Sequence, residues 1–460
     1  MRTTQVLSIV MAFSFFAGFA TAGETPEIDP LPYRVTDAEF SQKLDRIVAI
    51  SSTPTNSLYI YNPTSGSSQK VDLPLVGNCV SVGPDGLYAA VGHDGFITYV
   101  DLLVGVIVDT FAVGADPSDI VLAGNGFIYA FPRTGQWVRI HCIEIETGIE
   151  TEHTGGSVRH GTQAKLHPNG TSIYGADNGL SPSDIEKYDI TPGTAQFLYD
   201  SPYHGDYSMC GDLWMSDEGF RIFTRCGNVF RSSDVREEDM IYNGSLSELN
   251  AIEWLDHSSS NDKIYVIPSV PFGSGDDDTF LQIYDYEFLT HEETLSLPRF
   301  QTKQGSHLGH GRFVFFDADG RKAYIVLQAD EDSGLLFDYG VATMQVPGQI
   351  TAEILTSPPT GTYVSTQRFD IAVVVNFDGA TVTGATATFD GEDVSGFFNR
   401  CMLRGRALDG GRTFRCPDFA GRELTPGIHI LEIRLDFSDG SSKTDRVAWN
   451  VMDVAEPGTP

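Results

Sequence analysis

The sequence predicts an all-β chain of two parts, a ring of four-stranded units followed by a β-sandwich. Two observations carry this. A strand–turn–strand unit recurs about every 40 residues, and no apolar pattern of helical period runs longer than a few residues. The turns are Lys43-Leu44-Asp45, Pro84-Asp85-Gly86, Gly124-Asn125-Gly126, Pro168-Asn169-Gly170, Asp217-Glu218-Gly219, Ser260-Asn261-Asp262 and Ala318-Asp319-Gly320. Their last residues are spaced 41, 40, 44, 49, 43 and 58 apart, the period of a four-stranded propeller blade.

The strand after each turn sets the register. Tyr88, Tyr129, Tyr174, Phe223, Tyr265 and Tyr324 follow their turns by two to four residues, where an aromatic ring packs between neighbouring blades. The first unit has Ile47-Val48-Ala49-Ile50 in that place. Phe96–Asp101 reads as a third strand and Val106–Asp109 as a fourth. Seven turns predict a seven-bladed β-propeller over residues 33–346. The longest spacing comes from two insertions, the acidic loop Phe272–Asp278 and the polar connection Thr290–Gly305. Such loops lie on propeller faces, where binding concentrates.

The period stops near Val346-Pro347-Gly348. Residues 349–452 read as an Ig-like β-sandwich, with strands expected at Ile350–Leu355, Phe369–Val375, Thr381–Phe389, Ile428–Phe437 and Arg446–Val451. Residues 453–460 form a polar tail.

Residues 1–22 have the pattern of an export signal: Arg2, the apolar run Val6–Phe19, then the small-residue site Ala20-Thr21-Ala22. The run is too short for a comfortable membrane span. Residues 23–32 are Pro-rich and read as an extended leader. The expected locations are secreted, periplasmic or cell-surface. The formal charge of −32 repels nucleic acid and anionic membranes, which excludes them as partners.

In an exported chain, six cysteines point to disulfides. A hairpin centred on Glu218 sets Cys210 opposite Cys226, predicting a cross-strand bridge. Cys401 and Cys416 are expected to close a loop in the second domain, contributing roughly 3 kcal/mol. Cys79 and Cys142 fall in different units, and spacing does not pair them.

Histidine phase supplies the candidate site. His160 and His310 lie ten residues before the last residue of their turns, and His307 and Asp206 lie thirteen before theirs. Residues just ahead of an innermost strand point toward the channel at one face, so these four are candidate ligand-binding groups at a polar mouth. A divalent cation, Ca²⁺ or a transition metal, is the cofactor such groups could hold, although solvated loop histidines satisfy the same pattern. Asp317–Gly320 lacks the loop-closing Glu of a Ca²⁺ loop and reads as a turn. Asp330-Glu331-Asp332 and Asp276-Asp277-Asp278 have charge enough for weak cation sites, with a solvated loop as the simpler reading. Gly-x-Ser-x-Gly and phosphate-binding loops are absent.

Val82-Gly83-Pro84-Asp85-Gly86-Leu87-Tyr88-Ala89-Ala90-Val91, followed by Phe96–Asp101, resembles the strand, Pro-Asp-Gly turn and Tyr-containing strand of the YVTN-type propellers of exported bacterial proteins. The literal Tyr-Val-Thr-Asn tetrapeptide is absent, so the resemblance is one of pattern over residues 33–346. It implies a ring with a central channel and a binding scaffold. Some relatives are lactonases or lyases, but no catalytic set transfers residue by residue. The first function expected is a non-catalytic exported binding protein with a protein, glycan or small-molecule partner. The second is a lactonase or lyase using His160, His307 and His310 at the channel mouth. The third is a structural, adhesin-like surface protein.

Overall fold

The computed structural model describes residues 26–247, 249–269, 277–303 and 305–346. In the C-terminal part it describes 352–357, 361–364, 370–375, 382–398, 412–416, 425–437 and 442–452. The chain divides between Met344 and Gln345 into two compact units.

Among the described residues the first unit holds seven four-stranded antiparallel sheets, numbered here in chain order. Each of the first six is made of strands in chain order, interrupted only by a short strand of an added ribbon in sheet 3. Their first strands are Asp37–Ser41, Cys79–Val82, Pro117–Leu122, Gln163–Leu166, Leu213–Met215 and Ala251–Ser258. Sheet 7 takes Gly309–Phe316, Lys322–Ala329 and Tyr339–Gln345, then completes itself with Ile28–Leu31 from the start of the unit. Ile28 pairs with Ala342 and Leu31 with Tyr339. The segment read as a leader is therefore in part a strand. Its Pro30 removes a backbone donor, which an edge position tolerates. Tyr61 Oη donates to Asp29 Oδ2 at 2.6 Å and Arg34 pairs with Asp338 at 2.6 Å, tying the same segment to sheets 1 and 7.

The turns explain why the repeat is visible in sequence. Asp45, Gly86, Gly126, Gly170, Gly219, Asp262 and Gly320, the last residues of all seven, have positive φ. Glycine adopts that conformation without strain, and Asp tolerates it better than most residues. Some turns are also tied to a neighbouring sheet: Ser41 Oγ donates to Gly86 O at 2.6 Å, and His167 Nε2 lies 2.9 Å from Gly219 O. A side chain at Gly86 would lie 2.7 Å from Lys43 Cβ, so close approach adds to the demand for glycine.

The phased aromatics lie on second strands. Tyr129, Tyr174, Phe223, Tyr265 and Tyr324 are all buried, at 1% exposure or less. Phe223 of sheet 5 packs with Ile252 and Ile264 of sheet 6, and Tyr324 of sheet 7 with Ala38 and Tyr59 of sheet 1. Burial of this kind contributes roughly 1.5–3 kcal/mol per side chain. Tyr174 also donates to Asp239 Oδ1 at 2.8 Å, while Lys187 Nζ lies 2.9 Å from Asp239 Oδ2. That ion pair is 4% and 0% exposed.

Cys210 and Cys226 form a disulfide with a Cα–Cα separation of 5.4 Å. It is not a rung between opposed strand residues. Leu213 pairs with Thr224, so the ladder is offset by one residue from a hairpin centred on Glu218. Cys210 precedes the first strand of sheet 5, in a left-handed conformation with φ 65°. Cys226 sits in the turn between Arg221–Thr224 and Asn228–Arg231. The bridge ties loop to turn at one end of the sheet. Replacing both cysteines by alanine is expected to cost about 2–3 kcal/mol, read as a lower urea midpoint. An unchanged midpoint would contradict the role given to the bridge. Cys79 and Cys142 are buried free thiols. Cys401 lies outside the described residues, and with it the expected Cys401–Cys416 bridge.

The second unit contains two sheets among its described residues. One joins Ala352–Ser357, Asp370–Val375 and Arg412–Cys416; the other joins Gly361–Val364, Ser442–Met452, Gly427–Phe437, Val382–Phe389 and Glu392–Asp393. Leu431, Ile433 and Leu435 are buried at every second position, as are Val447, Trp449 and Val451. This alternation is that of sheets with one covered face. Gly361–Val364, Glu392–Asp393 and Arg412–Cys416 are strands that the sequence reading did not mark.

Candidate functional site

The first strands of sheets 1–6 converge on a polar chamber of about 200 Å³. Its acidic and basic lining is Asp37 and Glu39 from sheet 1, Asp119 from sheet 3, Lys165 from sheet 4 and Asp212 beside sheet 5. Trp214 and Trp254 form an aromatic wall, their rings crossing edge-to-face with centroids 6.0 Å apart.

The acids first serve the fold. Asp37 Oδ2 accepts from Val80 N–H at 2.8 Å and Glu39 Oε2 from Val82 N–H at 2.8 Å, joining sheet 1 to sheet 2. Asp119 Oδ2 accepts from Ala164 N–H at 2.7 Å, joining sheet 3 to sheet 4. Asp256 Oδ2 repeats this at Phe316 N–H, 2.7 Å away, from sheet 6 to sheet 7. Asp212 Oδ1 accepts from Leu213 N–H at 2.8 Å, and no hydrogen bond among the described residues engages its Oδ2.

Lys165 answers this acidic set. Its Nζ lies 3.1 Å from Glu39 Oε1 and 5.6 Å from the centre of the Trp254 ring. Enclosure in the ring opposes its charge, but Glu39, Asp119, Asp212 and Asp37 together push the ammonium's pKa well above its ordinary value. Its side chain is 27% exposed, because it faces the chamber. Burial pushes the Asp37 and Asp119 carboxyls up to about 7 despite their backbone donors. Asp212 is raised for the same reason. The chamber thus holds four carboxyls against one ammonium. Trp214 is 5% exposed, and its indole Nε1 is buried without a hydrogen-bond partner.

A second cluster contains part of the predicted site. His310 Nδ1 lies 2.8 Å from Asp278 Oδ1, and its Nε2 lies 2.9 Å from Asp330 Oδ1. Both ring nitrogens can meet carboxylates as donors only in the imidazolium form. Burial opposes that charge, but the two hydrogen bonds prevail and raise the His310 pKa. The same bond lowers the pKa of Asp330. His307 Nδ1 is 3.9 Å from Asp330 Oδ2. His307, Asp330 and Asp332 bring one donor atom each within 4.8 Å of one another, a spacing open to a shared cation. In NMR titration, His310 is expected to titrate above the ordinary histidine value of 6.5, and Asp330→Asn to lower that midpoint. A His310 midpoint below 6.5 would contradict the two-carboxylate geometry.

The other two predicted residues have different partners. His160 Nδ1 is 3.5 Å from Gln136 O. Asp206 Oδ2 accepts from His204 N–H at 3.2 Å within its own loop. Among the described contacts, the structure links His307 and His310 through Asp330, and adds Asp278 and Asp332. The chamber residues were missed, although a signal exists. Asp37, Asp119 and Asp212 stand seven or eight residues before the last residue of their turns, and Lys165 five.

A solved structure similar to this chain is the β-propeller domain of Cps50 (Swd1) from Myceliophthora thermophila. It matches with TM-score 0.51 and 11% identity, over 68% of this chain and 97% of that one. Hydrazine synthase of Kuenenia stuttgartiensis matches with TM-score 0.49 and 12% identity, over 71% of this chain and 99% of that one. No protein-family model and no curated protein matches the chain. The likeness to the Cps50 domain, with the four-stranded sheets, shows a β-propeller.

Proposed function

We propose that this is an exported, non-catalytic binding protein, a seven-bladed propeller followed by an Ig-like domain, with its ligand site in the axial chamber. The carrying observation is the chamber itself, where Lys165 stands alone among Asp37, Glu39, Asp119 and Asp212. Neighbouring sheets hold Asp37, Glu39 and Asp119 in place through backbone hydrogen bonds, so recognition costs little ordering. The export reading rests on the pattern of residues 1–22, and the Cys210–Cys226 bridge is compatible with it. Among the described residues no helix is long and apolar enough to cross a membrane.

Native mass spectrometry after incubation with a small-molecule extract tests the reading. The wild-type chain is expected to retain a compound, released chemically unchanged, that Lys165→Met does not retain. Equal retention by both proteins, or retention by neither, would contradict the chamber as the site.

The His307–Asp330–Asp332 cluster favours a second reading, divalent-cation binding at one edge of sheet 7. Titration with Zn²⁺ and with Ca²⁺ tests it. A stoichiometric site lost in His307→Ala supports it, and no saturable uptake by the wild type ends it. The lactonase or lyase alternative calls for His160 together with His307 and His310, and the described contacts link only the latter two.

A further inference from the structure

Sheet 4 carries four carboxyls on one face. Its second, third and fourth strands are Ser172–Ala176, Ile185–Asp189 and Gln196–Asp200. Glu186 stands opposite Gly175 on one side and opposite Asp200 on the other. Two residues further along, the Asp177 N–H donates to Asp184 O at 3.0 Å, which sets those two residues opposite each other. Directly opposed residues point to the same side and alternate residues return to it, so Asp177, Asp184, Glu186 and Asp200 share a face. It is the face toward sheet 3, since Tyr188, two residues beyond Glu186, meets the Phe131 ring edge-on.

That face is covered. Asp177 and Glu186 are 5% and 8% exposed. Tyr188 Oη donates to Glu186 Oε2, and both Ser201 Oγ and the Ile185 N–H donate to Asp184 Oδ1. Asp177 Oδ1 is buried without a hydrogen-bond partner. The cation that acts on Asp177 is Arg159 of the added ribbon. Its Nη1 donates to Gln136 O at 3.3 Å, and its Nε is buried without a hydrogen-bond partner. His153 meets the Tyr188 ring edge-on, and burial keeps it neutral by lowering its pKa to about 4. Burial, with the neighbouring carboxyls adding to it, pushes Asp177 up to about 6 and Glu186 up to about 8. Burial raises Asp184 as well.

Asp177 and Asp184 also close the loop between the second and third strands. Residues 178–183 make no backbone hydrogen bond among the described residues, which places the loop at the low-stability end of the fold. Its two ends meet the segment before sheet 5. The Cys210 N–H donates to Ser183 Oγ at 3.1 Å, and a side chain at Gly211 would lie 2.8 Å from Asn178 Cα. The next residue, Asp212, lines the chamber. We propose that the four carboxyls are a pH switch on this loop: as they ionise, the Asp177–Asp184 closure opens and residues 178–183 leave the Cys210–Gly211 segment at the chamber's edge. Burial sets the direction. Opening returns Asp177 and Glu186 to water and to their ordinary values of 3.8 and 4.5, so the closed form holds protons that the open form releases. The closed form is favoured at low pH and weakens as pH rises through about 6 to 8.

Hydrogen exchange of the full chain at about pH 5.5 and about pH 7.5 tests this, read by mass spectrometry on peptides covering residues 177–184 and 208–212. After correction for the intrinsic pH dependence of amide exchange, protection of both segments is expected to fall at least about tenfold between the two. In the double variant Asp177→Asn with Glu186→Gln, the side-chain amides stand in for the protonated acids. There the fall is expected to stay below about threefold. Far-UV circular dichroism reports that the variant is folded. If it is not, Glu186→Gln alone decides, with a fall expected to be at least about threefold smaller than that of the wild type. Protection independent of pH in the wild type, or an equal fall in the variant, would overturn the proposal. So would loop amides exchanging no faster than those of Leu58–Tyr61 in the core of sheet 1, the mark of global unfolding. The switch does not depend on the chamber being the ligand site: retention of the extract compound tests the chamber, and exchange tests the loop.

Discussion

Replacing Asp239 by alanine is expected to lower the unfolding free energy by about 3–5 kcal/mol, the cost of leaving a buried charge without its partner. Lys187 and Asp239 are 4% and 0% exposed. Asp239 also accepts from Tyr174 Oη at 2.8 Å, Tyr199 Oη at 3.0 Å and Ser233 N–H at 2.9 Å. The alanine variant therefore strands an ammonium and several hydroxyl and amide donors in the packing between sheets 4 and 5. Urea unfolding measures the loss. Glu238→Ala is the contrast, because the Arg231–Glu238 pair is 40% and 49% exposed and such pairs contribute below about 1 kcal/mol. If burial rather than attraction dominates, Lys187→Met combined with Asp239→Leu recovers much of the loss. Equal small effects for Asp239→Ala and Glu238→Ala would contradict this account.

Lys165→Met is expected to destabilise the protein in a pH-dependent way. Asp37 and Asp119 have native pKa values of about 7 against an ordinary 3.8, so the native state binds more protons than the unfolded state between those values. Stability therefore falls as pH rises through that window. Burial of Glu186 pushes its carboxyl up to about 8 and extends the same slope. His153 and His257 act oppositely, because burial lowers them to about 4 and about 3. Their stabilising effect is present above the ordinary 6.5 and lost as pH falls, so above pH 6.5 they no longer oppose the acid slope, to which His310, raised above 6.5, adds in the same direction. The wild type is expected to lose on the order of 3–4 kcal/mol between pH 6.5 and 8.5. Without the Lys165 ammonium, Asp37 and Asp119 rise further, so the variant loses more over the same interval. Guanidinium unfolding at pH 6.5 and 8.5 reads both slopes. Parallel slopes would show that Lys165 does not govern the chamber's charge.

Most of the ring was legible in the sequence because its determinants are local. A turn that needs positive φ selects Gly or Asp at Asp45, Gly86 and the five positions after them, and the aromatic that follows reports the next buried face. Closure was not legible. Ile28–Leu31 is a four-residue strand with proline inside it, and its partner Tyr339–Gln345 lies at the other end of the unit. The Cys210–Cys226 pairing was readable, but its geometry was not, since the ladder is offset by one residue from the symmetric hairpin.

The site was less legible than the ring. The phase of His307 and His310 and the run Asp330–Asp332 are separate signals in sequence, and only the fold of sheet 7 brings them together. The chamber residues come from separate sheets, and each acid has an ordinary local reason to exist, as an acceptor for a neighbouring backbone N–H. Their joint property, an acidic wall around Lys165, is a consequence of ring closure and has no local signature.

The axial chamber, rather than the His307–His310 cluster, is the proposed ligand site. Retention of an extract compound, measured by native mass spectrometry across the wild type, Lys165→Met and His307→Ala, tests it most directly. Lys165→Met is expected to lose retention at least tenfold, and His307→Ala to retain the compound as the wild type does. Loss in His307→Ala with full retention in Lys165→Met would contradict it.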